Sequence, residues 1–523
     1  MGTVYEAFDR ERRQPVALKR LRYFSPSTLY LFKQEFRTLA GVRHRNMVRL
    51  HELVVLDARV VFFAMELVRG MDFLQYVRRG GAADVGRLRS TLGQLVQGVQ
   101  ALHAAGKLHR DIKPSNVLVT SEGRVVLLDF GVAIELSEVD ESLREQQPLV
   151  GTVSYMAPEQ ASDLPPTPAS DWYGVGAILF EALAGRPPFV GTVAEVVRAK
   201  AEGEVAPPST LVGAVSPDLD VLCVDLLRRA PDVRPTGPEI LERLGVGARA
   251  LPSLAPVADA AAARLVGREP HRRALRSAFE ASRAGRPVTV RVWGPSGAGK
   301  SSLVQSFLDD LTARGEAVVL RGRAYERESV PYKAVDSWMD ALSRHLLLRS
   351  YRGDRLELPK DVSALARLFP VLQRVPDIEV EPAQTVVDPH RTRRQAFAAL
   401  CHLLASLARG QPAVLYLDDA QWGDADSAAL LVDLVRPPNA PPVLLVMTYR
   451  DAEARTSPFL NELGARWPDG AEALEVRVGP LEPDEARRLA LALLGSDGDA
   501  ARATAASAAR ESGGSPFLLR TGR

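Results

Sequence analysis

Two groups of residues in this 523-residue sequence combine the side chains and the spacing that phosphate chemistry requires. The first group lies before residue 130 and brings two lysines together with acids and an asparagine. Phosphoryl transfer needs the triphosphate held, its charge neutralised and the attacking hydroxyl aligned, and Mg²⁺ prefers oxygen ligands such as carboxylates and amides. The residues of this group are Lys19, Glu35, Asp111, Lys113, Asn116 and Asp129.

The second group is a glycine-rich segment that runs from Gly294 to Ser301. It follows an apolar strand pattern, precedes an apolar helix pattern, and fits G-x-x-x-x-G-K-[ST] in the context that this motif requires. Gly294, Gly297 and Gly299 let successive backbone N–H groups face phosphates, and the helix N-terminus adds a favourable dipole. We expect Lys300 to reach the β- and γ-phosphates and Ser301 to ligate Mg²⁺.

Two acids follow another apolar segment further along the chain. Ala413–Leu417 has the pattern of a buried strand, and Asp418 and Asp419 come directly after it. This Walker B pattern predicts Asp418 in the Mg²⁺ shell and Asp419 in a position to polarise water. Val443–Thr448 predicts the next strand, and Arg450 follows it as a candidate sensor of the nucleotide. Taken alone, the two acids could be a strand-end turn and the arginine a surface charge.

The first group resembles the eukaryotic-type (Hanks-type) Ser/Thr protein kinase family over roughly residues 1–245. Each motif is short and weak by itself, but together they occur in the order and with the spacing of that family. The motifs are Val16-Ala17-Leu18-Lys19, then Glu35, then His109-Arg110-Asp111-Ile112-Lys113-Pro114-Ser115-Asn116, then Asp129-Phe130-Gly131, and finally Ala157-Pro158-Glu159.

This resemblance implies a role for each charged residue of the first group. Lys19 would hold the α- and β-phosphates of ATP and would be oriented by an ion pair with Glu35. Asp111 would accept the proton of the substrate hydroxyl, and Lys113 would steady the γ-phosphate, as in Ser/Thr kinases rather than Tyr kinases. The two Mg²⁺ ligands would be Asn116 and Asp129.

The resemblance also implies an adenine site. Met65, Glu66 and Val68 lie where the family's hinge pairs with adenine, and Met65 would be the gatekeeper. Of the family's glycine-rich loop, only the third glycine, Gly2, and the valine over the adenine, Val4, remain. We therefore expect a kinase fold without its first strand. Either the start was assigned to a methionine inside the loop, which we favour, or the protein lacks that lid and is a weak kinase as written.

Several supporting positions match the same family. Asp171 would anchor the backbone of the catalytic loop, and Arg234 would form a buried ion pair with Glu159. Gly151-Thr152 resembles the segment that docks substrate. The arginine of the His-Arg-Asp motif suggests control by phosphorylation in the segment 132–150. Two serines are available there, Ser137 and Ser142.

The second group resembles AAA-like and signal-transduction P-loop ATPases over roughly residues 264–523. Leu265-Val266-Gly267-Arg268-Glu269 resembles the entry to that domain. Many such enzymes carry Glu where this chain has Asp419, and the shorter acid predicts slow hydrolysis, which suits a switch held in the ATP state. The sequence stops soon after Gly513, close to where related ATPases continue into a helical lid, so we expect a C-terminally truncated domain.

The elements that must position these residues indicate two different folds. Strand patterns come first and helical periodicity follows, which predicts an α+β bilobal unit with a small sheet-rich lobe and a larger helical lobe. Residues 246–263 are rich in Ala and Pro and predict a linker. Beyond it, strands alternate with helices, which predicts an α/β P-loop NTPase fold with a parallel sheet. The predicted domains are 1–245, 246–263 and 264–523.

Composition and charge narrow the classes of protein. The formal charge of 66 − 64 = +2 provides no global field for nucleic acid or anionic membrane. Two distant cysteines, Cys223 and Cys401, exclude a disulfide framework and a Cys-rich zinc site, and they suit a reducing compartment. The sequence lacks an apolar run of about 18 residues and a signal-peptide pattern. We expect a cytoplasmic protein without a membrane or nucleic-acid partner.

Lysine is scarce, with eight lysines among 66 basic residues and therefore 66 − 8 = 58 arginines. A lysine that persists against this bias is a candidate for a task that arginine performs poorly, such as placing a compact ammonium against phosphate oxygens. Lys19, Lys113 and Lys300 fall on phosphate motifs. We expect the other five on solvated surface, namely Lys33, Lys107, Lys200, Lys333 and Lys360.

The leading hypothesis is an intracellular signalling kinase that transfers the γ-phosphate of ATP to Ser/Thr hydroxyls of protein substrates and is regulated by a fused ATP-binding switch domain. It implies ATP and Mg²⁺ at two sites, and it allows self-association through the ATPase domain. An alternative is a nucleotide-dependent signalling scaffold with an inactive or weak kinase domain. A third reading, an ATPase-driven transcription regulator, finds no basic helix-turn-helix pattern to support it.

Overall fold

In the computed structural model, the chain forms two compact units. The first is built almost entirely from residues up to 251 and the second from those after it. The structure describes residues 2–57, 60–128, 153–162, 164–213, 215–246, 266–354, 357–380, 388–496 and 498–521. Among these residues, each helix is too short or too polar to cross a membrane.

The first unit begins with a sheet of four strands in the order β1-β2-β4-β3. β1 (Gly2–Asp9) and β2 (Gln14–Leu21) form an antiparallel hairpin. β2 pairs on its other side, also antiparallel, with β4 (Val60–Glu66), and β3 (Leu50–Asp57) lies beside β4. The predicted strands and the sheet-rich small lobe are confirmed.

Helices dominate the rest of the first unit, together with a small antiparallel sheet of β5 (Gly70–Asp72), β6 (Val117–Thr120) and β7 (Val125–Leu127). The helices of this unit are Pro26–Leu39, Phe73–Val77, Val85–Ala104, Pro158–Ala161, Pro168–Ala184, Val193–Glu202, Pro217–Leu226 and Gly237–Arg243.

Two long helices form the core of the helical part. Val85–Ala104 starts at Asp84, whose side chain accepts the N–H of Arg87 as an N-cap. Its apolar residues recur every three or four positions and are fully buried, as an amphipathic helix requires. Pro168–Ala184 is buried along most of its length. It is therefore a rigid base for the polar residues in its first turn.

The second unit is built on a five-stranded sheet in the order β13-β8-β12-β11-β9, in which every neighbouring pair is parallel. Three of these strands, β8, β11 and β12, have the long buried runs expected of a parallel sheet covered on both faces, and they confirm the predicted α/β fold. The strands of this unit are β8 (Val288–Gly294), β9 (Val318–Arg323), β10 (Glu328–Ser329), β11 (Ala413–Asp418), β12 (Leu444–Arg450) and β13 (Ala473–Arg477).

β13 was not predicted. It lies at one edge of the sheet and only Val476 among its five residues is buried. An edge strand with so little buried surface carries a weak periodic signal. The helices of the second unit are Glu269–Arg283, Lys300–Ala313, Lys333–Tyr351, Val362–Leu368, Pro389–Gly410, Ala425–Leu434, Pro458–Ala465, Pro483–Leu494, Asp499–Glu511 and Pro516–Thr521.

The expectation that five lysines lie on solvated surface is wrong for at least two of them. Lys33 and Lys200 are each 1% exposed. Lys107 is partly buried and donates to the backbone carbonyls of Arg37 and Thr38. A buried ammonium is tolerated where hydrogen-bond acceptors replace its water, and the carbonyls that Lys200 reaches belong to Val153, Ser154 and Met156.

Candidate phosphoryl-transfer and nucleotide sites

The first site begins with the ion pair predicted between Lys19 and Glu35. Lys19 lies on β2 and Glu35 on the helix Pro26–Leu39, and the Lys19 Nζ is 2.5 Å from the Glu35 Oε1. Both residues are buried, with 6% and 2% of their surface exposed. Water therefore screens the pair little, and the ion pair holds the ammonium in one position inside the small lobe.

Gly2 and Val4 lie on β1, directly across from this lysine. In the hairpin register Val4 is opposite Lys19. A Cβ at Gly2 would lie 2.9 Å from the carbonyl oxygen of Arg20 and 3.1 Å from the Lys19 Cγ. Only glycine lets the two strands approach this closely at that point. Val4 is 51% exposed, so its side chain presents an apolar surface to solvent.

The hinge residues lie at the end of β4 and just after it. Met65 is buried and Glu66 ends the strand. Arg124 holds the Glu66 side chain at 2.6 and 3.1 Å. Burial alone would raise the pKa of Glu66, but the hydrogen bonds and charge of Arg124 outweigh it and hold the pKa below its ordinary value. The Glu66 backbone N–H donates to the Arg49 carbonyl at 2.8 Å, so both this N–H and the carboxylate of Glu66 are engaged. Val68 is partly buried beside it.

The structure brings together three of the residues predicted for the chemical step. The Lys113 Nζ is 2.7 Å from the Asp111 Oδ2. The Asn116 side-chain amide donates to the Asp111 carbonyl at 2.8 Å and to its Oδ2 at 3.0 Å. One carboxylate is thus held between an ammonium and an amide. Asp129, the segment 132–150 with Ser137 and Ser142, and Gly151-Thr152 lie outside the described residues.

Asp171 holds the backbone of the catalytic loop, as predicted. Its carboxylate accepts the backbone N–H groups of His109 at 2.9 Å and of Arg110 at 2.8 Å, and it lies 2.7 Å from the His103 Nε2. Arg110 has a φ of 66°, a conformation that costs free energy for a non-glycine residue. The two hydrogen bonds that these backbone N–H groups donate to a buried carboxylate stabilise the strained loop just before Asp111.

The predicted ion pair between Glu159 and Arg234 is also present. The guanidinium makes two parallel contacts with the carboxylate, at 2.7 and 2.9 Å, and its side chain is fully buried. Burial opposes ionisation of Glu159, yet the hydrogen bond from Arg234 keeps its pKa below the ordinary value. A bidentate pair of this kind fixes orientation as well as charge, and here it ties the segment after Ala157 to the helical lobe.

The second site is the loop between β8 and the helix Lys300–Ala313. Gly294, Gly297 and Gly299 have φ values of 151°, 79° and 90°, which L-residues rarely adopt. At Gly294 a Cβ would also lie 2.1 Å from the carbonyl oxygen of Val478. The glycines are therefore required by the backbone path, and the path ends at a helix N-terminus that favours anions.

Lys300 lies across this loop. Its Nζ donates to the carbonyls of Gly294 and Pro295, both at 2.8 Å, and the residue is 8% exposed. Burial, and then the nearby charge of Arg450, lower the pKa of Lys300. An anionic ligand in the loop would oppose both effects, so the ammonium is poised to bind one.

Ser301 and Asp418 meet as predicted, and a third residue joins them. The Ser301 Oγ donates to the Asp418 Oδ1 at 2.7 Å, and the Thr448 Oγ1 donates to the same oxygen at 2.5 Å. Sequence reasoning missed Thr448, although its place near the end of a strand paired with β11 was a usable signal. Hydroxyl and carboxylate oxygens are the ligand type that Mg²⁺ takes, so this set fits the metal.

Asp419 is paired with two arginines. The Arg323 Nη2 donates to its Oδ2 at 2.6 Å, and the Arg450 Nε lies 3.9 Å from its Oδ1. Gln421 donates to the Oδ1 at 2.9 Å. Sequence reasoning placed Arg450 here and missed Arg323. Arg323 ends β9 and Asp419 follows β11, and side chains converge at the ends of such neighbouring parallel strands.

A cavity of about 260 Å³ opens over the loop and is lined by its residues 296–302. Cationic side chains surround it, which suits a polyanionic ligand. Arg268, from the motif at the start of this domain, donates to the carbonyls of Ala298 and Gly479 at 2.8 and 2.7 Å and so supports the loop. The cationic residues that line the cavity are Arg268, Lys300, Arg323, Arg450 and Arg520.

Comparisons with known proteins match two different families to the two parts of the chain. Residues 1–244 match the protein kinase domain family and residues 264–446 match the AAA ATPase domain family. Serine/threonine-protein kinase PknA of Mycobacterium tuberculosis is 36% identical over 282 residues, which are 52% of this chain and 60% of that protein. Serine/threonine-protein kinase PknE of Mycobacterium bovis is 32% identical over 237 residues, which are 45% of this chain and 41% of that protein. The chain therefore spans 60% or less of these curated relatives. Its first part thus matches a protein kinase domain and its second part an AAA ATPase domain.

Proposed function

We propose that this protein is a Ser/Thr protein kinase that transfers the γ-phosphate of ATP to hydroxyls of protein substrates. The observation that carries the proposal is the arrangement around Asp111. Lys113 and Asn116 contact its carboxylate at 2.7 and 3.0 Å. Both curated relatives named above are Ser/Thr kinases, and they support this choice of substrate hydroxyl.

We propose a task for each part of this site. The Asp111 carboxylate accepts the proton of the substrate hydroxyl, while Lys113 neutralises charge on the transferred group. Lys19, oriented by Glu35, binds the phosphates of ATP. Asn116 would hold Mg²⁺ together with Asp129, and the metal when bound supplies further charge neutralisation.

Transfer from radiolabelled ATP to a generic protein substrate, followed by phosphoamino acid analysis, tests the proposal. We expect label on Ser and Thr, and its loss in Asp111→Asn. Asp218→Asn, which alters a surface ion pair with Arg89 at 2.5 Å, is the matched control and keeps the activity. Unlabelled substrate with wild-type protein, or equal labelling in Asp111→Asn, contradicts the proposal and favours a scaffold whose kinase domain is inactive.

We further propose that the second domain binds Mg²⁺ and ATP and hydrolyses the nucleotide slowly. The cradle of Lys300, Ser301 and Asp418 supports binding. Asp419 is the residue predicted to polarise water, and its carboxylate is paired with two arginines. This pairing supports a switch that hydrolyses ATP slowly rather than a rapid enzyme. Lys300→Ala tests this proposal, because it should abolish the hydrolysis that persists in Asp111→Asn. Hydrolysis that survives in Lys300→Ala contradicts it.

We propose that the kinase is regulated within the chain: the nucleotide state of the second domain changes the rate of substrate phosphorylation by the first. The test is substrate phosphorylation by Lys300→Ala, which should differ from wild type although the kinase residues are intact. Identical rates argue against regulation.

We also propose a cytoplasmic protein, since both cysteines are free thiols. Self-association through the ATPase domain is tested by the sedimentation of the protein with and without ATP.

A further inference from the structure

Tyr416 carries a buried hydroxyl that the motifs of the second site do not explain. The residue lies in the middle of β11 and is 2% exposed. Among the residues that the structure describes, none forms a hydrogen bond with this hydroxyl. An unpaired buried hydroxyl costs free energy, and phenylalanine would fill the same space without that cost. The hydroxyl is therefore a candidate for a contact that forms when the site binds its ligand.

The hydroxyl lies close to the proposed metal ligands. Side chains two positions apart on a strand point to the same face of the sheet, so Tyr416 and Asp418 share a face of β11. The tyrosine ring belongs to the hydrophobic core between the sheet and the helix Lys300–Ala313. The polar neighbours of its hydroxyl are the side chains of Asp418, Thr448 and Ser301.

The backbone that carries this side chain is fixed. The Trp338 Nε1 donates to the Tyr416 carbonyl at 2.6 Å. In the sheet, Tyr416 is aligned with Arg321 of β9 on one side and with Val446 of β12 on the other. Because the ring is also enclosed by the core, the hydroxyl stays beside the carboxylate and cannot turn to solvent.

The Oδ1 of Asp418 has no lone pair left for a third donor in this arrangement. A carboxylate oxygen offers two lone pairs, and the hydroxyls of Ser301 and Thr448 take both, at 2.7 and 2.5 Å. Ser301 is also the residue proposed to ligate Mg²⁺. When its hydroxyl turns a lone pair to the metal, its alignment with the Oδ1 weakens, and the Tyr416 hydroxyl is a donor already in place beside that oxygen.

We propose that Tyr416 is a positioning residue of the second site: when Ser301 ligates Mg²⁺, the tyrosine hydroxyl donates to the Asp418 carboxylate in its place and holds that carboxylate toward the metal. The inference rests on the proposed binding of Mg²⁺ and ATP by the second domain and deepens it. The hydroxyl then stabilises the ligand-bound form and not the ligand-free fold. A hydroxyl with a purely structural role would do the reverse.

The test is calorimetric titration of full-length Tyr416→Phe, which loses the hydroxyl and keeps the ring. The ligands are a non-hydrolysable ATP analogue with Mg²⁺ and ADP in EDTA, and the heats of Lys300→Ala, which retains the kinase site, are subtracted. We expect the affinity for the ATP analogue to fall on the order of tenfold, as loss of a hydrogen bond to a charged group implies, and the affinity for ADP in EDTA to change less than about twofold. The melting temperature of the ligand-free variant should equal or exceed that of wild type, because the deleted hydroxyl has no partner there.

Tyr332→Phe is the matched control. Tyr332 is a buried tyrosine of the same unit, 7% exposed, and its ring lies 5.5 Å from that of Phe369 and 6.0 Å from that of Phe397. Its substitution should leave both affinities unchanged. Equal weakening of both nucleotides in Tyr416→Phe, no change in either, or a lower melting temperature with unchanged affinities overturns the inference alone. Wild-type heats equal to those of Lys300→Ala overturn the proposed nucleotide site and the inference with it.

Discussion

The ammonium of Lys19 and the carboxylate of Glu35 meet at 2.5 Å inside the small lobe, although the two residues come from different elements. Burial makes the contact strong and also makes each partner dependent on the other, because an unpaired buried charge is costly. The helix that carries Glu35 thus determines where Lys19 presents its charge to a phosphate.

The first prediction concerns this pair. Glu35→Gln should lower kcat/KM for phosphoryl transfer by about tenfold to hundredfold, because Lys19 loses its orienting charge while the site keeps its other groups. Steady-state kinetics with varied ATP checks it. Asp9→Asn, which alters a surface ion pair with Arg12 at 2.7 Å, is the control. Unchanged kinetics in Glu35→Gln would show that Lys19 does not depend on the pair.

What the sequence could predict was local. Three features are each encoded within a few neighbouring residues: the phosphate loop, the strand end at Asp418-Asp419, and the group of Asp111, Lys113 and Asn116. The structure brings the residues of each feature together as expected. The kinase ion pairs, Lys19 with Glu35 and Glu159 with Arg234, were predicted from the family resemblance, since nothing local connects residues that lie 16 or 75 positions apart.

What the sequence could not predict depends on register and packing. Arg323 meets Asp419 because β9 lies beside β11 in one alignment, and Thr448 meets Asp418 for the same reason on the other side of β11. A single sequence does not specify which strands pair or in which register. Lys200 was expected in solvent because a lone lysine is usually exposed. In the structure its ammonium instead donates to backbone carbonyls of the segment before Ala157.

The second prediction concerns Arg234, whose side chain is fully buried against Glu159. Arg234→Met should lower the free energy of unfolding by about 3–5 kcal/mol, since it leaves a buried carboxylate without its partner. Thermal denaturation checks it. The double variant Glu159→Gln/Arg234→Met should recover part of the loss. Arg243→Met, at a surface pair with Asp225, should cost at most about 1 kcal/mol. A single-variant loss no larger than this control would contradict the prediction.

The third prediction concerns Thr448, whose hydroxyl donates to Asp418 and accepts the backbone N–H of Asp419. Thr448→Val keeps the shape and removes both bonds. We expect ATP hydrolysis by the second domain to fall on the order of tenfold and to require more Mg²⁺ for half-maximal rate. Hydrolysis is measured in the Asp111→Asn background across Mg²⁺ concentrations. Thr312→Val, whose hydroxyl bonds only a helix carbonyl, is the control. A Mg²⁺ dependence equal to that of the control would refute the assigned role.

The fourth prediction concerns the pH dependence of substrate docking. Lys200 is buried on the helix Val193–Glu202 and donates to the carbonyls of the segment that precedes Ala157, at 2.7 Å for Val153 and 3.0 Å for Ser154. Burial lowers its pKa to about 7, although the charge of Glu159 opposes the shift. The charged form is therefore populated below about pH 7 and is lost as the pH rises through that value.

Because the lowered pKa means that the packed position of Lys200 favours the neutral amine over the ammonium, the segment that follows Gly151-Thr152 should loosen as Lys200 is protonated at low pH. We expect the KM for a protein substrate to fall between about pH 6 and about pH 8, while the KM for ATP stays level because its site does not contain this lysine. Lys200→Met should have a raised KM for protein substrate at every pH, and this KM should no longer change near pH 7. If the step persists in Lys200→Met, another group causes it and the lysine is only a structural support.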